Sequence, residues 1–148
     1  MANVHDVAAY ILQKKTRMSA MKLQKLVYYS KAWHLVWEDK PLFREPIQAW
    51  ANGPVVYELY DLHRGKFEVT AKVLKGGDPN NLTTDEKESI DVVLKHYGHL
   101  KAYELSDMTH REDPWRNARG GLPAGAPCSN VITDVSMYEY YLGLVGSN

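Results

Sequence analysis

The run SAMKLQKLVYYSKAWHLVWE, residues 19–38, sets the architecture of the chain. At 3.6 residues per turn, Leu23, Leu26, Val27, Ser30, His34 and Trp37 fall in one stripe with Trp33 at its edge, which makes one buried face. Met21, Tyr28, Ala32, Leu35 and Val36 occupy the opposite side, so the polar Lys22, Gln24, Lys31 and Glu38 are expected on the flanks. A helix apolar on two sides is sandwiched by other elements rather than laid on a surface. Ser19 is its candidate N-cap, since the hydroxyl can accept from an unpaired amide of the first turn.

On the N-terminal side, Val4, Val7, Ala8, Ile11 and Leu12 recur at helical spacing and predict a helix over 3–15, with Lys14 and Lys15 at its negative end. Thr16 to Met18 then form a short turn, and the two helices are expected to pack as antiparallel neighbours. On the C-terminal side, Pro41 ends the central helix near Asp39-Lys40. Leu42 and Phe43 fall in a loop. Ile47, Ala49 and Ala51 alternate with Gln48 and Trp50 as a short strand before the Asn52-Gly53-Pro54 break. Pro54 suits the first position of a helix over 55–63. Phe67, Val69, Ala71 and Val73 make a second strand that can pair with the first.

Residues 76–81 read as a loop, and Thr83-x-x-Glu86 as a capping box opening a helix whose inner face is Ile90, Val93, Leu94 and Tyr97, ended by Gly98. Ala102, Leu105, Met108 and Thr109 mark another helix, and Asp113 can cap a short one through Ala118. The glycines and prolines of 120–130 indicate a surface loop. Asp134 can cap a last helix carrying Tyr138, Tyr141, Leu142 and Val145, after which the chain end is expected to fray. The expected fold class is mainly α, of the α+β kind: a compact multi-helix single domain, residues 1–148, around the central helix 19–38, with a short two-stranded sheet.

Composition narrows the function classes. A chain of 148 residues can bury roughly two thirds of its unfolded surface without metal or disulfide support. Lys plus Arg equals Asp plus Glu at 18 each, so no global charge draws it to nucleic acid or an anionic membrane. Nucleic acid is therefore an unexpected partner. The single Cys128 excludes an internal disulfide and fits a reducing cytoplasm. No apolar run reaches the roughly 18 residues that span a bilayer, and no signal peptide is evident, so the expected location is cytoplasmic and no membrane is implied.

The chemistry-bearing residues form no strong constellation. His96 and His99 lack a third ligand placed by spacing, so no metal is expected. His110-Arg111-Glu112-Asp113 sets a base beside carboxylates, which would do acid–base work only if they converged in a cleft. The alternative is that Asp113 caps a helix while His110 and Arg111 bond to backbone or solvent. His34 reads as a hydrogen-bonded core histidine. Cys128 has no activating neighbour. Gly76-Gly77 opens no phosphate cradle, and no cofactor motif occurs. Lys14, Lys15, Arg17, Lys22 and Lys25 are the densest basic cluster, read as a solvated flank. Four tryptophans and ten tyrosines are many for one small core. They serve either an exposed interface or ordinary amphipathic packing, and the sequence leaves both open.

Taken in order, several blocks carry a resemblance: Met21-Lys22-Leu23-Gln24-Lys25-Leu26-Val27-Tyr28-Tyr29; Pro41-Leu42-Phe43; Ile47-Gln48-Ala49-Trp50 with Gly53-Pro54-Val55-Val56 and Tyr60; Leu105 with Thr109-His110-Arg111-Glu112-Asp113-Pro114-Trp115; and Ile132 with Ser136-Met137 and Tyr140. Together they resemble the Panacea domain, a family that includes SocA-type antitoxins and the phage-associated GepA proteins. The resemblance implies a small, mostly helical antitoxin of a bacterial or prophage toxin–antitoxin pair, not an enzyme, which neutralises a cognate toxin protein by direct contact. Its surface would cover the toxin's active site or hold the toxin in an inactive shape. An alternative mode in the family is an adaptor that delivers the toxin to the ClpXP protease. A phage protein acting on another host partner is a further alternative, and a homo-oligomer is compatible with all of these. Many members carry an extra DNA-binding segment, for which this chain is expected to have no room.

The polar block residues Lys25, Tyr28, Asn52, His110, Arg111 and Glu112 are the toxin-binding candidates. Leu23, Leu26, Trp50, Gly53, Pro54 and Trp115 are expected to build the fold, with Gly53 admitting a tight turn and Trp115 filling the core. On this reading, Lys25→Glu or Arg111→Glu abolishes neutralisation and leaves the melting temperature nearly unchanged. A catalytic antagonist using His110, Glu112 and Asp113 would instead work below stoichiometric amounts.

Overall fold

The computed structural model describes residues 2–146; the expected fraying concerns residues 147 and 148, which lie outside them. The elements run α1 (Val4–Lys15), β1 (Arg17–Ser19), α2 (Ala20–Glu38), β2 (Ile47–Trp50), β3 (Gly53–Val56), α3 (Tyr57–His63), β4 (Glu68–Thr70), a 3-10 turn (Pro79–Asn81), α4 (Thr84–Tyr97), α5 (Ala102–His110), α6 (Asp113–Arg119), β5 (Val131–Ile132) and α7 (Asp134–Gly146). The fold is mainly α with small antiparallel sheets, as the sequence predicts.

Local chemistry explains the helix boundaries. The Ser19 hydroxyl accepts from the Lys22 amide at 3.1 Å, and Asp39 closes α2 in the left-handed region at φ 57°. Thr83 and Glu86 form the expected capping box, each satisfying the other's backbone N–H. A second box, Asn3 with Asp6, opens α1. Asp113 and Asp134 lie inside their first turns rather than at the caps. Glu112 precedes α6 without a side-chain capping bond, and the Thr133 hydroxyl accepts from the Ser136 amide at the start of α7.

Around α2 the core is continuous, running from Ala2 to Tyr141. The most extensive contacts of α2 are with α4 and α7, and it also meets α1, α5 and β3. Enclosure is more complete than the two-faced reading predicts. Gln24 and Lys31 on the expected polar flanks are buried, as is Lys25 of the basic cluster, while Trp37, expected in the buried stripe, is 41% exposed at the helix end. In α7, Met137 and Tyr141 are buried, but Leu142 and Val145 face solvent.

The sheets depart from the expected pairing. Residues 17–19 are not a simple turn; they form β1, which pairs with β4 in the register Met18 to Val69. The strand at 47–50 therefore does not pair with the segment near 67–73. It pairs with β3 next along the chain, in the register Ala49 to Pro54, and on its other side with β5. Pro54 is accordingly a strand residue, and α3 starts at Tyr57 rather than at Val55. The hairpin prevails because β3 is an edge strand and the Pro54 position points away from β2, where no N–H is needed.

The outward edge of β3 is closed by two side chains of α2. The Gln24 amide donates to the Val56 carbonyl at 3.2 Å and accepts from the Val56 N–H at 2.9 Å, as a neighbouring strand would. Lys25 Nζ donates to the Pro54 carbonyl at 3.2 Å. A buried edge needs such partners, and this accounts for two polar residues in the core.

Candidate functional site

The candidate residues separate into two groups. Lys25 from α2, Asn52 from the β2–β3 turn and His110 from α5 line one cleft of about 330 Å³, with Tyr103, Ser106 and Asp107. Tyr28 and Glu112 belong to a buried network elsewhere. Arg111 is exposed in the turn that follows α5.

Lys25 reaches the cleft floor because residue 53 has no side chain. Gly53 sits at φ +117°, and a Cβ there would lie 2.5 Å from Lys25 Cε and 3.0 Å from Thr109 Oγ1. The turn glycine thus serves both the hairpin backbone and the passage of the lysine stem. Lys25 is fully buried, and burial lowers its pKa from 10.5 to about 7. Among the described residues, no carboxylate lies within ion-pair distance of its ammonium.

His110 stacks on Trp115 with ring centroids 4.1 Å apart, and its Nε2 is buried without a hydrogen-bond partner. Burial lowers its pKa, Asp107 opposes that shift, and Lys25 and Arg119 add to it. The Ser106 hydroxyl donates to the Asn52 carbonyl at 2.6 Å and ties the hairpin turn to α5. Trp115 is buried as expected, and its Nε1 donates to the Trp50 carbonyl at 2.8 Å, fixing α6 against β2. Leu23 and Leu26 are wholly buried.

In the second group, Tyr29 and Tyr141 both donate to Glu112 Oε1, at 2.7 and 2.8 Å, and the Tyr28 and Tyr141 hydroxyls meet at 3.0 Å. Burial raises the Glu112 pKa, and the two tyrosine hydrogen bonds pull it back. The network joins α2, α7 and the start of α6 across the core, so much of the tyrosine surplus is structural. Exposed aromatics remain, with Phe67 at 81% and Tyr103 at 64%.

Three readings change as a result. Lys25 and Tyr28 are interior residues, so the six candidates do not make one surface patch and Lys25→Glu strikes the core. His110, Glu112 and Asp113 also diverge: His110 faces the cleft, Glu112 faces the tyrosines, and Asp113 lies on the surface 4.0 Å from Arg116. The acid–base reading thereby loses the convergence it requires. The basic cluster is not a uniform solvated flank either, since Lys22 donates to the Gly98 carbonyl at 2.7 Å and Lys25 is buried. His34 is a core histidine bonded to Ser89 at 2.7 Å, as expected.

Sequence reasoning missed Tyr103, Ser106 and Asp107. Their signal was present: 103, 106, 107 and 110 share one stripe of α5 at spacings of three and four, on a different side from the buried Leu105 and Thr109. A wider apolar groove of about 880 Å³, lined by Trp50, Tyr57, Leu122, Pro127 and Cys128, lies elsewhere and holds none of the six candidates. Among the described residues, no three His, Cys, Asp or Glu side chains converge to hold a metal ion, and no helix is long and apolar enough to cross a membrane.

Comparisons with curated proteins and with solved structures each found no match. The family model described as "Antitoxin SocA-like, Panacea domain" matches residues 23–116, from the first buried leucine of α2 into α6. That span contains the β2–β3 hairpin and the cleft residues Lys25, Asn52, Ser106, Asp107 and His110. With well over half its length matched, the chain belongs to the SocA-like antitoxin family that carries the Panacea domain.

Proposed function

We propose that the protein is the antitoxin of a bacterial or prophage toxin–antitoxin pair and neutralises its cognate toxin by stoichiometric, direct binding in the cytoplasm, acting as one domain over residues 1–148. Family membership over residues 23–116 is the observation that carries this reading. The geometry agrees with a binder. Lys25, Asn52, Ser106, Asp107 and His110 of the matched span line a cleft between α2, α5 and the hairpin turn, and His110, Glu112 and Asp113 point to different places. A protein interface of standard size buries about 1,600 Å² over both partners. The cleft would be one anchor point within such a surface.

Co-purification of the tagged protein with the product of the adjacent reading frame, followed by size-exclusion chromatography, tests the reading. A stable complex of fixed stoichiometry, with growth rescue that fails once toxin is in excess, is the expected result. Rescue accompanied by toxin loss that depends on ClpXP would replace binding with proteolytic delivery. Rescue by substoichiometric protein would establish an enzymatic antagonist instead.

A further inference from the structure

The cleft contains polar capacity that the fold does not use. An ammonium has three donors, and the Pro54 carbonyl is the hydrogen-bond acceptor found for Lys25. Closing the β3 edge at that carbonyl calls for one neutral donor, not for a charge. An ammonium kept from water without a counter-charge is unfavourable; the lowered Lys25 pKa reflects this, and among the described residues the packing around it supplies no ionic partner for its charged form. His110, which lines the same cleft, holds a second unused group. Its ring bonds to the Ala51 backbone, and because Nε2 has no partner that bond belongs to Nδ1. The stack on Trp115 holds the ring in place.

We propose that this cleft receives the carboxylate of an Asp or Glu side chain from the neutralised protein, with Lys25 as its counter-charge and His110 Nε2 as its second contact. This deepens the direct-binding reading and rests on it. The incoming carboxylate reverses the field that Lys25 and Arg119 impose on the ring and adds to that of Asp107, the other charges acting on His110. A proton from solvent then sits on Nε2, which donates to the carboxylate while Nδ1 keeps the Ala51 bond. Asp107 at the cleft wall disfavours a ligand of higher negative charge, so a carboxylate is preferred over a phosphate. The buried position of both protein groups strengthens a charge-assisted bond once it forms.

Acetate, acetamide and inorganic phosphate, titrated separately into the isolated protein, are the probes, read by the NMR signals of the His110 ring and of the Ser106 and Tyr103 amides. Acetate is expected to give saturable shifts with a rise in the His110 pKa, and Lys25→Met to weaken it by about tenfold or more, as loss of a charge-assisted bond requires. His110→Gln is the second variant and should remove the part of the linked proton uptake carried by the imidazole, leaving the part that belongs to Lys25. Absence of saturation, equal acetate binding by the Lys25→Met protein, or acetamide or phosphate binding as tight as acetate would overturn the proposal. Co-purification of the toxin separates this failure from that of the broader reading. A toxin that binds wild-type and Lys25→Met protein equally well, with growth rescued by both, removes the carboxylate contact and leaves neutralisation by binding intact.

Discussion

Replacing Lys25 by Met tests the electrostatics of the interior directly. The folded-state pKa of about 7 lies well below the ordinary 10.5, so between these values the unfolded chain holds more protons than the folded one. Stability therefore rises with pH across that window. The penalty from Lys25 is fully present below pH 7 and is relieved as the pH climbs toward 10.5. Integrating the linkage gives about 5 kcal/mol over the whole window, of which about 2 kcal/mol falls between pH 7 and pH 9. Methionine has no titration and fills a similar volume, at the expense of one hydrogen bond to Pro54 worth about 1 kcal/mol. Urea unfolding of both proteins at pH 5, 6, 7, 8 and 9 supplies the difference curve. Below pH 6 the variant should be the more stable, and the curve should move toward the wild type by about 2 kcal/mol from pH 7 to pH 9. The histidines that feel the Lys25 charge, His63 and His110, have lowered pKa values and titrate below this window. A difference curve with no slope between pH 7 and pH 9 would show that the Lys25 ammonium is solvated, and the account of the cleft floor would fail.

The other predictions concern single contacts. Gly53→Ala places a Cβ against the Lys25 stem at a positive φ and should destabilise by about 2 kcal/mol or more, measured by chemical denaturation. Gln24→Ala leaves both outward groups of Val56 unpaired beside a cavity and should lower stability by about 3 kcal/mol, whereas an unchanged midpoint would mean that water reaches that edge. Tyr141→Phe removes the bonds to Tyr28 and Glu112 and should lower stability by about 1–2 kcal/mol at neutral pH. For Glu112, whose pKa is raised by burial, the folded state holds the extra proton, so its contribution falls as pH rises above the ordinary carboxylate range; Glu112→Gln should remove that part of the slope in the same unfolding assay. Arg111→Glu, at an exposed position, should leave the melting temperature nearly unchanged, and retained toxin binding would place Arg111 outside the interface.

The helices were legible because their determinants are local. Ser19, Thr83 with Glu86, Gly98 and the 3.6-residue periodicities act within a turn or two of chain, and no distant contact is needed to read them. The ordered block residues were equally legible, and they identify the family independently of geometry. Strand pairing was not, because a three-residue strand such as Arg17–Ser19 carries no pattern of its own and acquires its partner from wherever the chain returns. The proline at 54 points to a helix start when read locally and to an edge strand once β2 lies beside it. Burial of Gln24 and Lys25 was illegible for the same reason: polar side chains on a helix are exposed by default, and only tertiary packing supplies the Val56 and Pro54 backbone groups that satisfy them inside. The sequence by itself determined the helical class, the helices and the family. The tertiary structure alone decided that Lys25, Asn52 and His110 meet in one cleft while Tyr28 and Glu112 meet in another place, because convergence of residues some 85 positions apart depends on packing that no local stretch encodes.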